Sequence, residues 1–226
     1  MKKNSSLIVI EGASDGIGKT TQLQLLKEHL IKDEIGIVTH HFPSYGTIQG
    51  QLVEKYLKGE LGSTSELTPY FINTLYAIDR AYTWHNILKK EYEKGKTILL
   101  DRYTTSSIIY QGALFDSKEK RVQFAEDVCI YEYQKLLIAK PDLVIFLKAP
   151  FDLITEIRNK RNQSEETVKD IHETDLDYLK KVYDNAIFMS EHFGWDTINC
   201  NSNSKMRSID DIHEDIYKLV KKKTYK

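Results

Sequence analysis

The sequence predicts an α/β fold in which a parallel, five-stranded sheet carries helices on both faces. Three observations carry that expectation. Four short apolar, β-branched runs, each closed by a polar residue or a turn, read as buried strands: Leu7 to Ile10, Thr97 to Leu100, Leu143 to Leu147 and Thr197 to Cys200. A weaker fifth run, Ile35 to Thr39, leads into His40, His41 and Phe42. Between the runs lie helical patterns, and strands that alternate with helices build parallel sheets covered on both sides.

The first helix shows one apolar face, made by Leu23, Leu26 and Leu30. The last shows another, made by Ile209, Ile212, Ile216 and Val220, and Ser208 with Asp211 three places on reads as the capping box that starts it. There is no internal repeat, low-complexity linker or evident boundary, so residues 1–226 read as one domain. Open parallel sheets bind ligands outside the carboxyl ends of their strands. The places to look are therefore the residues just after Ile10, Thr39, Leu100, Leu147 and Cys200.

Composition narrows the classes. Of 226 residues 41% are hydrophobic, enough for one sizeable core. The 32 basic and 33 acidic residues leave a net charge of -1, which gives no reason to expect nucleic acid or an acidic membrane face as a partner. The basic run Lys218, Lys221, Lys222, Lys223 and Lys226 reads as a solvated tail. Cys129 and Cys200 fit neither a zinc spacing nor a disulfide framework. The start is too short and wrongly flanked for a signal peptide, and no segment approaches a membrane span. The expectation is a soluble, cytoplasmic protein.

The first strand runs into Glu11-Gly12-Ala13-Ser14-Asp15-Gly16-Ile17-Gly18-Lys19-Thr20-Thr21 and then into a helix. Glycines let such a loop curl its N–H groups inward around a phosphate chain. The helix adds its N-terminal dipole, Lys19 a point charge, and Thr20 a hydroxyl for Mg²⁺. Gly16, Gly18, Lys19, Thr20 and Thr21 are thus candidate ATP contacts. The strict pattern wants a glycine where Ala13 stands, and Gly12 lies one step further back. An ordinary Gly-rich turn does not explain Gly-Lys-Thr-Thr at the start of a helix that follows a buried strand. The guanine-specifying Asn-Lys-x-Asp run of a GTPase is absent.

The third strand ends in Asp101-Arg102-Tyr103. A carboxylate there can hold Mg²⁺ through water, and the neighbouring arginine can grip a phosphate bidentately. Read alone, the same triplet could be a structural salt bridge.

With the phosphate loop, the stretch from Asp101 through Ser107, Tyr110, Gln111 and Gly112 closely resembles the corresponding segment of thymidylate kinases. The resemblance runs along most of the chain. It takes in Phe42-Pro43, Tyr76-Ala77-Ile78-Asp79-Arg80, the strand Pro141 to Leu147, and Asp170-Ile171-His172-Glu173. It implies the nucleotide-kinase architecture and transfer of the γ-phosphoryl of ATP to dTMP, with Mg²⁺ held by Thr20 and Asp101. It further implies a homodimer and a lid segment around residues 156–173.

The resemblance also implies roles. Tyr76 and Arg80, four apart and so on one helix face, would stack on and hydrogen-bond to thymine, beside Phe42 and Ser107. Gln111 would match the adjacent carbonyl and N–H of the base. Without the resemblance, Tyr76 reads as core and Arg80 as a surface salt bridge. Tyr110 would crowd a 2′-hydroxyl, Arg102 would hold the acceptor phosphate, and Asp15 would meet the acceptor's sugar hydroxyl.

Two departures matter. Family members commonly carry an arginine shortly after Phe-Pro, where this chain has Ser44-Tyr45. Some carry one beside the phosphate-loop acid, where this chain has Gly16; in such a chain the lid would supply it. Arg158 and Arg161 in the polar stretch 156–163 are the candidates, Arg161 being favoured as nearer the lid's middle, and Lys160 lacks the planar fork. The alternatives are a deoxynucleoside kinase or another monophosphate kinase of this fold, and a P-loop module that binds without catalysis. The first would place an acidic base where His41-Phe42-Pro43 stands.

Overall fold

The structure, a computed structural model, describes residues 5–62, 66–164 and 175–225, with the side chains of 161–164 excepted. In chain order it runs through β1 (Leu7–Gly12), α1 (Lys19–Lys32), β2 (Ile37–His41), α2 (Gln51–Leu57), α3 (Pro69–Thr83), α4 (Lys89–Glu93), β3 (Thr97–Asp101), α5 (Thr104–Tyr110) and α6 (Lys118–Cys129). It continues through β4 (Leu143–Lys148), α7 (Phe151–Ser164), α8 (Leu176–His192), β5 (Asp196–Asn199), a small antiparallel pair β6 (Asn201–Ser202) and β7 (Lys205–Met206), and α9 (Ile209–Thr224). Two π-helical stretches, Trp84–Leu88 and Ile130–Lys135, extend α3 and α6.

The five-stranded sheet has the order β2-β3-β1-β4-β5, and every pair in it is parallel. Successive residues of a strand point to opposite faces. In β1 this puts Ile8 and Ile10 in a layer with Leu23, Leu26 and Leu30 of α1, Val182 of α8, and Ile212, Ile216 and Val220 of α9. Leu7 and Val9 face the other layer, with Trp84, Leu88, Leu100 and Tyr103. A strand covered on both faces has no polar side, which is why β1 reads as an unbroken apolar run.

The edges are where sequence and structure differ. The strand at the sheet edge beside β3 begins at Ile37, because the Ile35 amide is still committed to the end of α1, donating to the Leu30 carbonyl at 3.0 Å. Only partly buried, β2 carries a weak apolar signal. At the opposite edge β5 ends at Asn199, although the Cys200 amide still donates to the Lys148 carbonyl at 2.7 Å. In α9 the Ser208 hydroxyl accepts from the Asp211 amide as the cap, and Ile209, just inside it, faces solvent while Ile212, Ile216 and Val220 are buried.

The parallel register aligns the carboxyl ends. Ile10 is paired with Asp101 on one side and Ile145 on the other, and His41 with Asp101. The phosphate-loop segment, Phe42-Pro43, Arg102 and the start of α7 thereby emerge together at the carboxyl end of the sheet.

Candidate active site

The loop between β1 and α1 begins late. The Ala13 amide donates to the Leu147 carbonyl at 3.0 Å, so Ala13 still belongs to the β1–β4 ladder. The chain then folds back over Gly12: a Cβ on Gly12 would lie 2.6 Å from Ile17 Cγ2 and 3.3 Å from the Lys19 side chain. The glycine that the strict pattern misplaces therefore fills the close-approach role from one step back. Gly16 and Gly18 adopt left-handed backbones at φ 90° and 97°, and Gly18 caps α1 without a side-chain hydrogen bond. First-turn amides left in that way suit an anion.

Asp15 stands at the mouth of this loop. Its carboxylate accepts from Lys19 Nζ at 3.1 Å, from the Tyr110 hydroxyl at 3.1 Å, and from Arg102 Nη2. Burial by itself would raise its pKa, but the charges of Arg102 and Lys19 and the hydrogen bonds from Lys19 and Tyr110 outweigh that and hold it far below the usual carboxylate range. Lys19 Nζ also reaches the Ser14 carbonyl at 3.3 Å. Burial pushes the Tyr110 hydroxyl far up, so it is a donor at neutral pH. Arg102 lies over the Tyr110 ring, 5.1 Å from its centre, and has a left-handed backbone at φ 68°. A non-glycine residue held in that conformation stores roughly 1–3 kcal/mol of strain, and such residues cluster at functional sites.

Asp101 meets α1 directly. Thr20 Oγ1 donates to its Oδ2 at 2.7 Å, and His41 Nδ1 lies 3.3 Å from the same oxygen. Burial would raise the Asp101 pKa, but His41, Lys19 and Thr20 lower it overall. The other oxygen, Oδ1, is buried and has no hydrogen-bond partner. A buried carboxylate oxygen left unpaired costs free energy unless a cation or donor meets it. The Thr20 hydroxyl and this carboxylate suit Mg²⁺, which is held by one or two carboxylates together with water and substrate phosphates. Among the described residues no group of three or more His, Cys, Asp or Glu could hold a metal unaided.

A second cluster gathers Tyr76, Arg80, Ser107 and Gln111. Arg80 is 1% exposed, and its fork is taken by Glu132, with Nε donating to Oε2 at 2.7 Å and Nη2 to Oε1 at 2.6 Å. Nη2 also reaches Asn73 Oδ1 at 3.1 Å and Ser107 Oγ at 2.9 Å, and Nη1 the Tyr103 carbonyl at 3.5 Å. The reading of Arg80 as a surface salt bridge is thus corrected: its ion pair is fully buried. Burial lowers its pKa, but the Glu132 carboxylate more than reverses this.

Both clusters open on one cavity of about 570 Å³. Its wall takes in Asp15, Gly16, Gly18, Lys19, Thr20, Thr21, Phe42, Tyr76, Arg80, Asp101, Arg102, Ser107, Tyr110 and Gln111, all candidates from the sequence. Arg158 of α7 lines it as well, is buried, and has no ion pair among the described residues. The Arg161 side chain and the stretch 165–174, with Asp170 to Glu173, lie outside the described residues. Lys160 is bound to Glu156 at 2.6 Å on the exposed side of α7. After Phe42-Pro43, Ser44 is buried, with its hydroxyl 2.8 Å from His40 Nε2, and Tyr45 lines the cavity.

Several lining or supporting residues escaped the sequence reading as site residues. His41 stands just past Thr39, where the sheet rule says to look, but histidine there carries no pattern. Glu11 accepts from Thr105 and Ser106 hydroxyls at 3.0 and 2.6 Å and so pins the start of α5 to β1. Glu132 lies in the α6 extension between Tyr131 and Tyr133, where no local signal marks it.

Comparison with known proteins adds an independent finding. The family model described as "Thymidylate kinase" matches residues 10–216. A thymidylate kinase of Plasmodium falciparum is 32% identical over 224 residues, covering 98% of this chain and 92% of that one. A probable thymidylate kinase of Pyrococcus abyssi is 31% identical over 216 residues, 95% of each chain. The solved structure of a Candida albicans thymidylate kinase superimposes with a TM-score of 0.69 at 20% identity, covering 96% of this chain and 92% of that one.

The loop geometry makes a prediction. In Gly12→Ala the new methyl has to displace Ile17, an overpacking that costs about 1–3 kcal/mol of stability, and because it also crowds the Lys19 side chain the KM for ATP rises. Ala13→Gly, at the position that the strict pattern names, leaves that KM within about twofold. Steady-state ADP release at saturating acceptor measures both.

Proposed function

The chain belongs to the thymidylate kinase family, and we propose that the cavity described above is where it transfers the γ-phosphoryl of ATP to dTMP. As a member it is an ATP-dependent nucleoside monophosphate kinase, and the reaction gives dTDP and ADP. The observation that carries the placement is that one cavity joins a cationic cluster to a cluster whose cation is already neutralised. Lys19, Arg102 and Arg158 belong to the first, and Arg80 with its Glu132 belongs to the second.

We read the two clusters as the phosphate and base ends of the nucleotide site. ATP's β- and γ-phosphates lie along residues 16–21, with Lys19 leaving Asp15 for them. Arg102 holds the dTMP phosphate. Asp15, freed of part of its load, accepts from the sugar hydroxyl. Tyr110, anchored by that carboxylate, fills the space of a 2′-hydroxyl. Tyr76 stacks on thymine beside Phe42 and Ser107, while Arg80 Nη1 and Gln111 address its polar edge. Thr20 and Asp101 would hold Mg²⁺, which neutralises charge on the β- and γ-oxygens when bound.

The acceptor's phosphate oxygens are already anionic near neutral pH, so the attack needs no protein base. The residues supply placement in line, charge neutralisation and exclusion of water. Charge spread over the migrating phosphoryl is met by Arg158, buried in the wall beside Gly16. Its side chain lines the cavity, and the Arg161 side chain lies outside the described residues.

The rest of the reading concerns the setting. One core cluster runs from Ile8 to Val220, which supports a single domain over residues 1–226. No described helix is long and apolar enough to cross a membrane. Both cysteines are free, which suits the reducing cytoplasm. Phe71, Ile78 and Tyr82 fall on one face of α3 and are exposed. Exposed Ile130 and Tyr131 lie on the α6 extension, and α6 itself borders α3 through the Tyr70–Asp127 bond. An apolar face of this kind marks an interface, and we assign it to a homodimer.

The panel dTMP, dUMP, UMP, dCMP, dGMP and thymidine, assayed for ADP release with ATP-Mg²⁺, tests the reading. dTMP turns over fastest, UMP poorly and thymidine not at all; faster use of thymidine would move the chain to the nucleoside kinases. Arg158→Ala should slow the single-turnover step by roughly 10³- to 10⁵-fold, the range of supplied arginines, with dTMP affinity little changed. A normal chemical step in that variant removes Arg158 from the mechanism. Light scattering should give twice the chain mass, and Ile78→Asp with Tyr82→Glu should give one.

A further inference from the structure

We propose that Glu132 is the positioning residue that makes Arg80 a reader of a neutral base and keeps it from serving as a second phosphate grip. The inference rests on the reading of Arg80 as the base contact and extends it to a residue outside the cavity wall.

The geometry leaves Arg80 little freedom. Two parallel bonds donated to Glu132 fix the plane of the guanidinium, and Asn73 and Ser107 take up the rest of Nη2. Nη1, with one long bond to the Tyr103 carbonyl, is the terminal nitrogen with donor capacity to spare. A fork clamped on one side and open at one nitrogen presents a directed donor. An unclamped arginine presents a mobile charge.

Charge points the same way. An arginine buried to this degree without a carboxylate would attract any phosphate that enters the cavity. Glu132, fully buried, cancels that charge. A nucleotide then has one favourable orientation, with phosphate toward Arg102 and Lys19 and base toward Arg80.

Glu132 also connects the two ends. Its Oε2 accepts from Thr104 Oγ1 at 2.9 Å, and Thr104 follows Arg102 and Tyr103 directly. It reaches this point because the chain after α6 winds as a π-helix over Ile130–Lys135, in line with buried Phe124 and Val128. π-helical turns of this kind recur at functional sites.

The experiment uses the full chain and two variants. Glu132→Asp keeps the charge but withdraws the carboxylate by one methylene, so the fork cannot be held where it stands. kcat and KM for dTMP and dCMP, KM for ATP, and Tm are measured. Expected for Glu132→Asp are a KM for dTMP raised about 10- to 100-fold, the worth of a charged hydrogen bond, a fall in the dTMP-to-dCMP preference, and an unchanged KM for ATP. Glu132→Gln leaves Arg80 uncompensated, and inorganic phosphate should then compete with dTMP at concentrations that leave the parent unaffected. Breaking a buried pair can prevent folding, in which case Glu132→Asp decides. A lowered Tm with KM and preference intact in Glu132→Asp overturns the proposal and leaves Glu132 a structural residue. A parent enzyme without preference for dTMP over dCMP would instead remove the base-site reading on which it rests.

Discussion

The proposed phosphate end of the cavity is organised around the Asp15 carboxylate. Lys19 comes to it from α1, Arg102 from the turn after β3, and Tyr110 from the far end of α5. Without an anion between them, Lys19 and Arg102 would repel one another. With it, two cations stand side by side. Because the Asp15 pKa is lowered, whatever stability these contacts give is complete above the ordinary aspartate value. It is lost only as pH falls toward the lowered value, so the arrangement holds throughout the neutral range. The carboxylate is 39% exposed on its side-chain surface, and water screens its contribution to stability. Its importance lies in placement.

The sheet makes this convergence possible. Parallel pairing of β1 with β3 and β4 sets Ile10, Asp101 and Ile145 level, so the residues that follow each strand have to share one small space. Burial of β1 on both faces fixes its register, since a slip of one residue would exchange the two apolar layers. The positive φ of Arg102 belongs to the same constraint. The chain leaves β3 and enters α5 within two residues, and the turn that achieves this aims the guanidinium at Asp15.

The fold was largely legible in the residues because its strands are buried and its loops are tight. Leu7 to Ile10 and Leu143 to Leu147 announce themselves; β2 does not, because an edge strand keeps one side wet. In the site, Lys19, Thr20, Asp101 and Arg102 stand at places where strand, turn and helix are readable in sequence. Glu132 was not readable. It lies 52 positions from Arg80, on a helix extension where it stands between two tyrosines in no recognisable motif, and only tertiary packing brings the two together. Nor could sequence alone show that Gly12 performs the task expected of residue 13, since that depends on where the β1 ladder ends.

Sorting the cavity's cations by partner singles out Arg158. Lys19 and Arg102 share Asp15, and Arg80 is bound to Glu132. Among the described residues, Arg158 alone of the arginines and lysines lining the cavity has no carboxylate. It stands close to the backbone of Gly16: a Cβ there would sit 3.4 Å from the Cβ of Arg158. The glycine beside Asp15 and the arginine on α7 are therefore two halves of one arrangement. A long side chain at position 16 would compete for the volume that Arg158 enters. A cation in that volume can come from the loop or from α7, and in this chain position 16 is a glycine. That is the physical reason for proposing Arg158 of α7 as the cation that meets the migrating phosphoryl.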